Sequence, residues 1–298
     1  MSNATIQELS ESYMQRCLVI RNYSPATIIG YKWTFKQFFQ ESNIQHPSDL
    51  NLRVIEAWFF NGRLNRKWSS NTFRTHLKHL NTFFKWLIKE GYIKENCLDQ
   101  LEKPRMEQRI PRTLSKDQAL KLLEYSFNMA YQYRLCKYRN RAIIGIMLMA
   151  GLRKKEVLSL KLNEVSIENS SIFVNQGKGS KDRIIPMNSR LKIILSEYLQ
   201  QREKFGKECI NFFVSIQGDY PLGDSGLKKL IDMLKKKVRM DFSAHTLRHA
   251  FARLMLEGGC DIYTLSKLMG HSKITTTTIY LCCSNQQMSK SVEMHALN

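Results

Sequence analysis

The chain has 298 residues, long enough for two domains with separate cores at about 100–200 residues each. Its 46 Lys and Arg against 26 Asp and Glu leave a formal charge of +20, a field that draws polyanions and exceeds what solubility requires. The longest apolar run, AIIGIMLMAGL at 142–152, falls short of the roughly 18–20 residues that cross a bilayer, and the seven cysteines form no CxxC pair, which speaks against zinc and a disulfide framework.

The opening residues, MSNATIQELSES, contain neither a basic nor an apolar block, so no secretory leader is visible. Helices then dominate the first hundred residues. Ser24-Pro25 reads as a cap followed by proline at the first helical position. Behind it, Ile28, Tyr31, Trp33, Phe35, Phe38 and Phe39 form an apolar stripe. Pro47-Ser48-Asp49 is expected to start a helix carrying Val54, Ile55, Trp58 and Phe59. Ser70-Asn71 opens a longer one that buries Phe73, Leu77, Leu80, Phe83, Phe84 and Leu87. Its other face carries Arg74, Lys78, His79, Lys85 and Lys89, and Gly91 ends it.

Two prolines and dense charge in LEKPRMEQRIPRT mark residues 101–112 as a linker between domains at 1–100 and 113–298. Ser115 and Gln118 form a capping-box pair, with Leu114 placed to staple against Ala119. Residues 142–149 are apolar all round and predict a core helix, broken at Gly151 and followed by a short helix from about Arg153 to Leu160. The stretch 165–187 alternates as short strands do, with turns at 168–170 and 177–181. Helices resume at Ser189, including the basic GLKKLIDMLKKKVR. The fold class is therefore mainly α with a small antiparallel β-sheet.

Four short pieces carry candidate chemistry. AGLRKKEVLSL sets Arg153 after a glycine break, with Glu156 three residues on; alone, Arg153 reads as a solvated helix-start arginine. NQGKGSKDR puts Lys178 at a hairpin tip between glycines, which suit a turn and also permit close approach to a phosphate. SAHTLRHAFAR places His245 and Arg248 on one helical face, with His249 pointing elsewhere as a structural residue. A metal reading of those histidines lacks further ligands at suitable spacing. LMGHSKITTTTIYLCC sets His271 directly after Gly270, and Tyr280 nine residues later; a tyrosine there is by itself an ordinary packing residue.

Taken together, the ordered set Arg, Lys in a hairpin, His-x-x-Arg, Gly-His and Tyr resembles the catalytic domain of the tyrosine recombinases over about residues 113–285. The helical first hundred residues resemble that family's core-binding domain more loosely. The resemblance implies a helical core DNA-binding domain followed by an α+β catalytic domain of tyrosine recombinase type. It also implies roles: Arg153 and Arg248 clamp the scissile phosphate, Lys178 is the general acid, His245 and His271 support, Tyr280 is the nucleophile, and Glu156 braces the site from behind. Arg74, Lys78, Lys85, Lys181 and Arg183 are candidates for DNA contact. No metal and no cofactor is implied.

The chemistry fits those residue types. A tyrosine that attacks phosphorus keeps the strand end as a phosphotyrosine, conserves the bond energy and needs no ATP. Guanidinium groups donate bidentate hydrogen bonds to phosphate and never lose their charge. The implied partner is duplex DNA with short inverted-repeat core sites, bound by a monomer that assembles into a tetrameric synapse. The tail beyond Tyr280, with Met288, Val292 and Ala296 at helical spacing, docks either on a neighbouring protomer or on its own domain. A cytoplasmic, nucleoid-associated location follows. The lysines after Arg153 and the Cys282-Cys283 pair depart from many relatives without touching a catalytic position. Two rivals stand beside this reading: a type IB topoisomerase with similar cleavage chemistry, and a DNA-binding module that does not cut. A detergent-resistant protein–DNA adduct separates the last from the others, and a two-site recombination test separates the first two.

Overall fold

The computed structural model describes residues 4–105, 111–175, 182–271 and 273–281. The chain divides into two compact units, Met1–Arg109 and Ile110–Asn298.

Among its described residues the first unit has four α-helices: α1 (Ile6–Val19), α2 (Pro25–Glu41), α3 (Leu52–Leu64) and α4 (Ser70–Lys89). Ser24 caps α2 by accepting from the Thr27 amide, as the Ser-Pro signal predicts. Pro47-Ser48-Asp49 does not start α3. It forms a separate 3-10 turn, because the Asp49 carboxylate is taken by the amides of Gln45 and His46 at 2.9 and 2.8 Å. Asn51 caps α3 instead, accepting from the Val54 amide at 3.0 Å. The α4 side chains expected in the core are buried there, joined by Tyr13, Phe35, Phe38, Trp58 and Trp86. Trp33 departs from the apolar stripe: it is exposed, and its ring stacks on that of His76, 5.1 Å between centroids. His76 is buried, and His79 is half-buried rather than on the solvated face. Both turn Nδ1 to the Thr34 hydroxyl, at 3.1 and 2.8 Å.

The second unit is built around α6 (Arg134–Met149), whose Ala142, Ile143, Ile144, Ile146 and Met147 are fully buried. Around it pack α5 (Lys116–Asn128), α8 (Ser189–Lys204) and α10 (Ala244–Glu257), while α9 (Asp224–Val238) packs on α5. Between α6 and α8 the chain forms α7 (Lys154–Ser159) and three strands, β1 (Val165–Ser166), β2 (Ser171–Val174) and β3 (Arg183–Pro186). These make an antiparallel sheet in the order β1-β2-β3, with Ile172 opposite both Val165 and Ile185. The hairpin tip with Lys178 and Lys181 lies outside the described residues, as does the tail from residue 282 with its cysteine pair. Among the described residues the last α-helix, α11 (Ile262–Met269), ends at Gly270 and leads to a 3-10 turn at Thr278–Tyr280. Among the described residues no helix is long and apolar enough to cross a membrane, the described cysteines are free thiols, and no group of three metal-ligating side chains converges.

Candidate active site

Two glycines shape the site. Gly151 (φ +63°) ends α6 and Gly270 (φ +62°) ends α11, each in the left-handed conformation that a residue with a Cβ resists. These turns point backbone carbonyls at guanidinium groups. Arg248, inside α10, donates from Nη1 to the Gly151 carbonyl at 2.5 Å and from Nη2 to the Met269 carbonyl at 2.5 Å. Arg153, the cap residue of α7, donates from Nη2 to the Gly270 carbonyl at 2.8 Å. The helix ends flanking the site are thereby satisfied by the arginines themselves.

Beneath them lies Glu156. Its carboxylate accepts from Arg153 Nη1 and from the Arg153 amide, both at 2.7 Å. On its other side Arg183 of β3 makes a two-pronged contact at 3.0 and 2.8 Å, and its Nε donates to the Leu268 carbonyl at 2.7 Å. Arg248 Nη1 stands 3.9 Å from the same carboxylate. Burial pushes the Glu156 carboxyl up, but hydrogen bonds and charge from Arg183, then Arg153, outweigh it and hold the pKa at about 2. Arg248 is pulled down to about 10 by burial and the neighbouring Arg153, so it stays charged at neutral pH.

His271 connects this cluster to the C-terminal turn. Its Nε2 lies 3.3 Å from Arg248 Nη2 and its Nδ1 lies 2.8 Å from the buried Thr277 hydroxyl. Arginine can only donate, so Nε2 is the lone-pair side and Nδ1–H donates to Thr277. Burial, and then the charges of Arg248, Arg153 and Arg183, lower the His271 pKa to about 4. The ring is neutral near pH 7. His245 is exposed on the first turn of α10.

Tyr280 is half-buried, and its hydroxyl lies 2.6 Å from Nδ1 of His249. Burial raises the phenol pKa while Arg248 lowers it in part. Arg153, Glu156, Arg248, His271 and Tyr280 thus gather on the meeting point of α7, α10 and α11. Three further participants were not foreseen. Thr277 fixes the His271 tautomer. His249 was expected to face away from the site, yet it meets the tyrosine; its four-residue spacing from His245 on α10 already put the two on one face. Arg183 was expected among the DNA contacts, but its side chain is only 7% exposed and is committed to Glu156 and Leu268. Arg74, Lys78 and Lys85 are exposed on α4; Arg74 also donates to the Pro104 carbonyl at 3.2 Å.

Residues 112–287 match the model of the phage integrase family, and residues 10–94 match the phage integrase N-terminal SAM-like domain. A tyrosine recombinase XerC of Bacillus pumilus is 28% identical over 302 residues, covering 97% of this chain and 96% of the relative. A XerC of Leptospira interrogans is 25% identical, covering 97% and 93%. Among solved structures, XerH site-specific recombinase bound to a palindromic difH substrate superposes with a TM-score of 0.76 at 22% identity, covering 96% of this chain and 84% of that one. A lambda integrase dimer bound to a core site gives 0.73 at 19% identity, covering 93% and 95%.

Proposed function

This chain belongs to the phage integrase family, the family of tyrosine recombinases, and on that premise we propose that it recombines DNA site-specifically with Tyr280 as its nucleophile. One observation carries the reading. Arg153 and Arg248 converge on the Glu156 carboxylate, Arg248 reaches His271, and the residue after Arg248 holds the Tyr280 hydroxyl.

The mechanism follows from the charges. A scissile phosphate entering between Arg153 and Arg248 exchanges its oxygens for the carbonyls those guanidinium groups now hold. Tyr280 attacks phosphorus, forming a 3′-phosphotyrosine and releasing a 5′-hydroxyl. Negative charge growing on the non-bridging oxygens is met by donors already fixed in place. Lys178 protonates the leaving oxygen, and the exposed His245 supports the phosphate from the first turn of α10. Resealing runs the same steps backwards with a partner strand's hydroxyl. Duplex DNA with short inverted-repeat core sites is the substrate. A protein monomeric in the cytoplasm would assemble four protomers at synapsis, and Arg74, Lys78 and Lys85 would meet backbone phosphates in a salt-dependent way.

The test uses a nicked site whose 5′-hydroxyl fragment diffuses away after cleavage. Wild-type protein should trap itself on DNA as an adduct resistant to boiling in detergent, and Tyr280→Phe should not. A substrate carrying two sites should then yield exchanged strands. An adduct that persists in Tyr280→Phe would remove Tyr280 from the chemistry.

A further inference from the structure

α2 leaves its largest side chain in solvent. Trp33 is 57% exposed, while Trp58, Trp68 and Trp86 of the same unit are buried. Its orientation is nevertheless fixed. The indole stacks on His76 at 5.1 Å between centroids, with planes inclined at 26°. Behind His76, the Trp68 ring leans in at 4.4 Å and the Trp58 ring meets it edge-on at 5.3 Å. The Thr34 hydroxyl lies 3.1 Å from Nδ1 of the same histidine. Trp33 is thus the outer plate of a buried stack. From this placement we infer that Trp33, with Ile29 one turn before it, is a specificity-determining residue that packs on thymine methyl groups in the major groove of the target duplex. The inference rests on the chain acting on DNA as proposed.

The surroundings choose the partner. Ile29, Lys32, Trp33 and Lys36 are all exposed and lie along one side of α2. Beside it packs α4, which exposes Arg74, Lys78, Lys85 and Lys89 and contains no acid. The acid of α2 is Glu41 at its end, taken by Arg66 and by the Trp58 indole N–H. A strip so charged suits a polyanion, and a second copy of this chain, itself at +20, would meet it with like charge. A helix about 10–12 Å across fits a major groove about 12 Å wide. From there lysines reach phosphates on the groove walls. Ile29 has nothing to offer a phosphate. The apolar feature that base edges present is the C5-methyl of thymine, and it lies in the major groove.

The experiment starts from duplexes that wild-type protein selects out of a randomised pool. Each thymine of a selected duplex is replaced singly by deoxyuridine, which removes only the methyl, and affinity is measured for wild type and Trp33→Ala. Wild type should bind about threefold to fivefold more weakly at particular thymines, the worth of one buried methyl, and Trp33→Ala should be indifferent to the same replacements. On the unmodified duplex Trp33→Ala should bind about tenfold more weakly. Its slope of log affinity against log salt should stay as in wild type, because an indole neutralises no phosphate. Ile29→Ala, at an exposed position, should lose the methyl dependence in part, and it carries the comparison if thermal unfolding shows that Trp33→Ala does not fold.

The inference is overturned if no thymine methyl matters more to wild type than to the variants, or if Trp33→Ala lowers the salt slope by about 1 as loss of a phosphate contact would. A lower melting temperature with the methyl dependence intact also overturns it, since Trp33 then only covers His76. So does unchanged affinity with an altered oligomeric state, which makes the strip a protein-docking surface. Each of those results leaves the Tyr280-dependent adduct in place. A protein that selects no duplex and forms no adduct fails instead at the proposed function, and the reading of Trp33 falls with it.

Discussion

Replacing Glu156 by glutamine removes one negative charge from beneath three guanidinium groups while nearly preserving shape. The carboxyl sits at a pKa of about 2 in the fold against the ordinary glutamate value. At about 1.4 kcal/mol per pKa unit, that difference makes the ionised carboxylate worth about 3 kcal/mol to the folded unit. An independent figure agrees, since breaking a buried ion pair from one side costs about 3–5 kcal/mol. Glu156→Gln should therefore lower the unfolding free energy of the second unit by about 3 kcal/mol at pH 7, or its melting temperature by about 6–12 °C. The sign of the pH dependence is fixed by the depressed pKa. The stabilisation is complete above the unfolded carboxyl's pKa and drains away as pH falls toward 2, so the gap between wild type and variant should shrink by about 2 kcal/mol from pH 7 to pH 3. Urea unfolding followed by far-ultraviolet circular dichroism measures it. Intrinsic fluorescence does not, because Trp33, Trp58, Trp68 and Trp86 are the only tryptophans and all lie in the first unit. A loss below about 1 kcal/mol, or a gap constant with pH, would refute the claim that this carboxylate is held ionised by the arginines.

Gly151→Ala should be costly beyond ordinary glycine replacement, because a Cβ there would meet the Phe251 ring at 2.3 Å on a backbone at φ +63°; a loss of about 2 kcal/mol or more is expected in thermal unfolding, together with slower adduct formation as Arg248 loses its anchor. Lys78→Ala and Lys85→Ala should each reduce the slope of log affinity against log salt by about 1 on a core-site duplex, whereas Arg183→Ala should leave that slope unchanged and destabilise the second unit. Thr34→Val should weaken the first unit by about 1–3 kcal/mol by stranding two histidines, read by tryptophan fluorescence. Burial, with the charges of His79 and Arg66, lowers the pKa of His76 to about 4, so the unfolded chain binds the extra proton. First-unit stability should accordingly fall as pH drops from about 6.5 toward 4, and His76→Asn should flatten that decline.

What was legible in the sequence was local. Ser115 with Gln118, Ser24 with Pro25, and the alternation about Ile172 and Ile185 each state their geometry within a few residues. The start of α3 was misassigned because Asp49 and Asn51 are both good caps two residues apart, and only the trapping of the Asp49 carboxylate by Gln45 and His46 decides between them. Trp33 and His79 were misread for a related reason. Helical periodicity assigns a face, but which residue at its edge is covered depends on Thr34 and His76 arriving from different helices. At the site, residue type and order marked Arg153, Arg248, His271 and Tyr280, yet nothing local distinguishes a lysine-rich hairpin's Arg183 on DNA from an Arg183 folded under the site. That distinction is made by Glu156, which lies 27 residues away in sequence.

The proposed function also gives a reason for a carboxylate at the centre of a phosphate-binding site. Arg153, Arg183 and Arg248 contribute three positive charges and Glu156 one negative, leaving a surplus of two while the neutral His271 adds none. Without Glu156 three like charges would repel one another in a poorly solvated space, and burial already strains Arg248. With it, Arg183 is turned onto the carboxylate and the Leu268 carbonyl, and Arg153 and Arg248 are the guanidinium groups of the proposed phosphate clamp. A ground-state phosphodiester carries a single negative charge, and the transition state of the proposed attack gathers a second as the phenol closes on phosphorus. The donors fixed around Glu156 therefore gain most as that second charge develops, which is the condition for electrostatics to raise rate rather than merely affinity. Glu156→Gln would leave a surplus of three, so it should tighten DNA binding at low salt while slowing cleavage, a pairing of effects that loss of folding alone would not produce.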